Sequence, residues 1–100
     1  MVIKKPVGEP FYTLWKGIDE IDSENVNGQV LPVLYLTEKA ANDGLKFRNR
    51  PGFIVMGLRR EILLSFLEQF SSFVVVKDVE ENGWVSGIFS KEEVRQEYLL

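Results

Sequence analysis

The sequence predicts an α+β domain, a two-layer sandwich whose mixed sheet of about five strands carries its helices mainly on one face. Three observations lead there. Gln29–Leu36 is an almost unbroken apolar run, the pattern of a strand buried on both faces. Leu58–Phe70 places apolar residues at helical spacing between two apolar strands, which implies a parallel strand pair joined by a right-handed crossover. Asn82-Gly83 lies between two β-rich runs and marks a hairpin, because a type I′ turn needs positive φ at both central residues.

Taken in order, the elements read ββαβαββα within one domain spanning residues 1–100. Residues 1–10 hold Pro6, Pro10 and Gly8 and read as a loosely ordered lead-in. Phe11–Ile18 is aromatic and partly alternating, a first strand. Asp19–Gly28 is polar and acidic, reads as a loop, and closes with the turn signal Asn27-Gly28. After the second strand, Thr37 suits a helix N-cap, with Glu38 beside the positive end of the helix dipole. Asn42, Asp43 and Gly44 weaken the middle of this helix, and Pro51-Gly52 ends whatever continues to Arg50.

Phe53–Met56 is a third, compact strand. In the main helix, Leu58, Ile62, Phe66 and Phe70 form one stripe, with Leu63 and Leu67 beside it. Phe73–Val79 and Trp84–Phe89 form the hairpin. Alternation across it puts Val75, Lys77, Val79, Trp84, Ser86 and Ile88 on one face. Ser90-Lys91-Glu92-Glu93 reads as a capping box that opens a last helix packed through Val94 and Tyr98.

The inventory excludes large classes of chemistry. The 100 residues contain neither histidine nor cysteine. Histidine is the one side chain that titrates near neutrality unaided, and the two together supply most zinc ligands and nucleophile–base pairs. No cofactor or metal is called for. The glycines form neither GxGxxG nor GxxxxGK[ST]. A net charge of −3 gives the whole molecule no pull toward nucleic acid or an anionic membrane. No apolar run approaches the ~20 residues of a membrane helix, and no secretory signal opens the chain, so a cytoplasmic location is expected.

Three features are candidates for function. The segment Lys46, Arg48, Arg50, Arg59 and Arg60 holds five of the twelve basic residues, with no acid between positions 45 and 60. Arg48, Arg50, Arg59 and Arg60 form a candidate anion site if they converge, with Phe47 available for base stacking. If they lie at opposite ends of the third strand the patch dissolves, Phe47 is core and the arginines are a solvated rim. The acidic run Asp19, Glu20, Asp22 and Glu24 offers oxygen ligands for a hard cation, but its spacing is not that of a calcium loop, and a solvated loop is the better reading. No acid lies within an apolar strand, so no carboxylate is expected to be buried for acid–base catalysis.

The third feature is aromatic content: twelve aromatic residues exceed what a small core needs. Tyr12, Trp15, Trp84, Val75 and Ile88 are the candidate interface residues, since an exposed aromatic and aliphatic patch marks a protein interface. Leu31-Pro32-Val33-Leu34-Tyr35-Leu36-Thr37-Glu38-Lys39-Ala40-Ala41 is similar to the strand-then-helix opening of SseB-like N-terminal domains, bacterial α+β modules. That resemblance covers about a tenth of the chain and carries over no functional residue. The expected function is that of a small non-enzymatic accessory protein acting through an interface, with a second copy or another protein as partner. The alternative is an anion- or nucleic-acid-binding module.

Overall fold

The computed structural model describes residues 11–17, 20–48, 51–80 and 83–96. The lead-in, Arg50, Asn82 and Tyr98 lie outside them, as do the side chains of Arg48 and Trp84. The fold is α+β, with a mixed sheet and three helices among the described residues. The elements are β1 (Phe11–Lys16), β2 (Glu20–Ile21), β3 (Ser23–Val26), β4 (Gln29–Tyr35), α1 (Glu38–Arg48), β5 (Ile54–Leu58), α2 (Arg60–Gln69), β6 (Ser72–Glu80), β7 (Gly83–Ser90) and α3 (Lys91–Val94).

The acidic segment differs from its expected loop. Asn27 and Gly28 both have positive φ, at 52° and 84°, and Val26 pairs with Gln29 across them. This two-residue turn folds Ser23–Val26 back onto β4, so Glu24 lies on a strand. Glu20 lies on β2 and Asp22 sits between the two strands, while Asp19 lies outside the described residues. Asn25 Oδ1 accepts from the Gly28 amide at 3.0 Å and holds the turn.

Strand β1 pairs antiparallel with β5 along its length and meets β4 at Tyr12–Tyr35. β4 pairs parallel with β6, and β6 pairs antiparallel with β7. Strands β4, β5 and β6 therefore all run the same way. The chain steps from β4 over β1 to β5 through α1, then back to β6 through α2. Two crossovers of one hand taken in opposite directions must lie on opposite faces. Accordingly Ala40 and Ala41 of α1 pack with Val33, Tyr35, Val74 and Val76, whereas α2 and α3 bury Leu63, Phe66, Leu67 and Val94 against Leu34, Phe73 and Val75. Two of the three helices share the second face.

Between these layers the sheet is split. Past Tyr12–Tyr35, β1 and β4 diverge, and residues 20–26 wedge between them. β2 pairs with the end of β1 and β3 with the start of β4. Asp22 sits at the apex. Its amide donates to Leu14 O at 2.9 Å and its carbonyl accepts from the Val33 amide at 3.0 Å. The Thr13 hydroxyl donates to Val33 O at 2.9 Å across the same gap.

The helices are set by local chemistry with two departures from expectation. The Thr37 hydroxyl accepts from the Ala40 amide at 3.0 Å, and the Ser90–Glu93 capping box is formed in both directions. α1 runs unbroken through Asn42-Asp43-Gly44. Lys39 pairs with Asp43 at 2.8 Å, and Gly44 is buried against the Tyr35 ring. In α2 the helix starts only at Arg60, because Leu58 is held in β5 opposite Phe11. The buried stripe accordingly centres on Leu63, Phe66 and Leu67, and Ile62 turns outward, 38% exposed.

Gly44 yields a test of this packing. A Cβ there would approach Tyr35 Cε1 to 2.6 Å. On an exposed helix Gly→Ala stabilises by about 1 kcal/mol, but overpacking a core costs roughly 1–3 kcal/mol. Gly44→Ala is therefore expected to lower stability in urea unfolding despite its better helix propensity.

Candidate functional site

The sequence-derived candidates divide into those the fold consumes and those it leaves on the surface. Trp15 is consumed. Its ring lies 6.2 Å from Phe66 at an interplanar angle of 8°, and its indole N–H donates to Gly17 O at 2.9 Å. Phe66, Phe70 and Phe73 continue this aromatic row edge to face. Much of the aromatic excess is thus the internal seam between α2 and the sheet. Tyr12 is half-buried over Gly57, next to the core under α1.

Val75 does not share a face with Ile88. The register between β6 and β7 shifts between Val76 and Asp78, a bulge at Lys77 that the sequence does not announce. On the Ser72–Val76 side of it, Ile88 stands opposite Val74 and Ser86 opposite Val76, while Val75 faces Gly87 and is fully buried under α2. Ile88 is 56% exposed, and Ser86 beside it is exposed. Trp84 pairs with Val79 through its backbone.

The described candidate arginines fall at the two ends of β5. Arg48 ends α1 ahead of β5, and Arg59 and Arg60 follow β5 as the N-cap and first residue of α2. A five-residue strand spans about 16 Å, and α1 and α2 lie on opposite faces. Arg50 lies outside the described residues. Phe47 is not core but 48% exposed near the end of α1.

The carboxylates also depart from expectation. Asp22 is only 1% exposed, and its Oδ2 accepts from the Tyr35 hydroxyl at 3.0 Å. The missed signal was the hairpin itself: Asn27-Gly28 puts residue 23 opposite residue 32, so residue 22 must lie against the sheet. Glu20 points outward on β2 and Glu24 lies opposite Leu31. Among the described residues no three acids gather to hold a metal ion.

What stands out on the surface is the outer edge of β7, which no described strand pairs, and its backbone can be read from two hydrogen bonds. The Lys91 amide donates to Ser71 O at 2.9 Å, so positions 91 and 71 form a bonded pair. Bonded and non-bonded pairs alternate along an antiparallel ladder. Gly87 and Phe89 therefore bond to β6, and Ser86, Ile88 and Ser90 turn their amides and carbonyls outward. The Leu36 amide bond to Val76 O at 3.0 Å confirms the phase, since Val76 faces β4 and hence away from Ser86. The outward Ser90 amide donates to Glu93 Oε1 at 3.1 Å, which closes the row at the capping box. Ser86 and Ile88 lie in the stretch of this edge that stays open among the described residues.

The two outer edges are built differently. β5 is five residues long, follows Pro51-Gly52, has Lys16 over Phe53 at 5.8 Å, and ends at Arg59-Arg60. Short strands, proline and basic residues are the usual devices that blunt an edge. β7 has eight residues, Gly-Trp-Val-Ser-Gly-Ile-Phe-Ser, with no charge and no proline.

No protein-family model matches this chain, and no curated protein is significantly similar to it. No helix among the described residues is long and apolar enough to cross a membrane.

The Asp22–Tyr35 contact is testable apart from any function. Tyr35→Phe removes the hydroxyl donor from a buried carboxylate, a loss of about 1–3 kcal/mol. Chemical denaturation is expected to show that loss, with the sheet signal in circular dichroism unchanged.

Proposed function

We propose that this protein is non-enzymatic and works through a protein–protein interface on the β7 side of its sheet, with a second copy of the chain as partner. The observation that carries the reading is the eight-residue outer strand β7, which has no charge or proline and holds the exposed Ile88. An unprotected edge of this kind is a template for pairing with another strand. The buried carboxylate among the described residues, that of Asp22, is engaged by the Tyr35 hydroxyl inside the fold, which fits a binding rather than a catalytic role. A cytoplasmic setting fits a chain without cysteine, because small secreted domains usually depend on disulfides. The arginine-based anion reading gains less support, because its residues flank β5 at opposite ends.

Light scattering on a size-exclusion column at low and high salt tests the proposal. A species of about twice the 11.5 kDa chain mass is expected at both salts, since apolar and backbone contacts are weakly screened. A monomer at every concentration would overturn it. Dimerisation that vanishes with salt would instead favour a charge-driven contact.

A further inference from the structure

Resting on that reading, we infer that the two copies join by antiparallel pairing of β7 with β7, making one continuous sheet across a two-fold axis at Gly87. Ser86 and Ile88 of one copy would face Ile88 and Ser86 of the other and exchange four backbone hydrogen bonds. The register fits the phase of the ladder, because Ser86 and Ile88 turn their amides and carbonyls outward while Gly87 between them is bonded to β6. Gly87 then meets Gly87 of the second copy in the closely spaced non-bonded position, where the absence of a side chain lets the strands approach.

Charge selects the second copy as occupant. An antiparallel strand pairing with itself sets each charged residue near its own duplicate, and like charges across strands are destabilising. β7 brings none, from Gly83 to Ser90. Ile88 adds an apolar side chain beside the axis on the face where Val74 and Val76 lie. The pairing is isologous and uses up the edge, while the blunted β5 does not extend it, so association stops at a dimer.

The test compares the full chain with Ser86→Ala and Ser86→Pro by sedimentation over a range of concentrations. Proline is tolerated at an edge position whose N–H faces solvent, so the fold should persist. Ser86→Ala should dimerise like the parent, and Ser86→Pro should dimerise at least tenfold more weakly, with an unchanged thermal midpoint at concentrations where both chains are monomeric. If Ser86→Pro dimerises as tightly as the parent, strand pairing is overturned while self-association through another surface stands. A monomeric parent overturns both. Should Ser86→Pro unfold, amide exchange in the parent decides. Raising the concentration should protect the Ser86 and Ile88 amides and leave Gly87 and Phe89, already bonded to β6, unchanged. Equal change at all four, or none, overturns the pairing.

Discussion

The backbone of Asp22 is the joint on which the sheet depends. β1 and β4 begin as neighbours at Tyr12–Tyr35 and then part, leaving backbone groups that need partners inside the molecule. Asp22 fills that gap with one bond to each strand, and Thr13 adds a third at the same level. An unmade buried backbone bond costs free energy comparable to the bond itself, so the wedge is a requirement of the split rather than an ornament on it. The carboxylate is carried inward as a consequence, and the Tyr35 hydroxyl is placed to receive it.

From Tyr35 the constraint passes to α1. The ring that donates to Asp22 lies against Gly44, so a helix weakened in isolation by Asn42-Asp43-Gly44 is held together by what it covers. The opposite face is organised by rings instead, in the row Trp15, Phe66, Phe70 and Phe73. One sheet thus has a polar-centred face under α1 and an aromatic face under α2 and α3. Much of the aromatic content is used internally, and among the described residues the outer edges of the sheet keep outward-facing backbone groups.

Much of this was legible in the residues, and the reasons for the remainder are specific. The Thr37 cap, the Ser90–Glu93 box and the Asn27-Gly28 turn follow from local chemistry, and a parallel pair follows from chain order. That the pair is β4 with β6, and not the strands β5 and β6 that flank α2, is decided by the sheet. The acidic stretch reads as a loop from its polarity, whereas pairing with β4 needs backbone groups and not apolar side chains. Simple alternation puts Val75 on the face of Ile88, and the bulge at Lys77 that reverses this has no mark in composition. Of the candidate interface residues, Ile88 is exposed, while Val75 lies in the core and Trp15 is half-buried against it.

The division has a simple physical basis. Local sequence determined which segments are strands and helices, where they start, and which residues are apolar enough to be covered, because caps, turns and periodicity act over a few residues. Composition also determined which chemistries lack their reagents, with no histidine or cysteine in the chain. Tertiary structure alone decided which acid among the described residues is buried and which amides of β7 face outward. Each of those depends on the register between segments far apart in the chain, and a shift of a single residue reverses it.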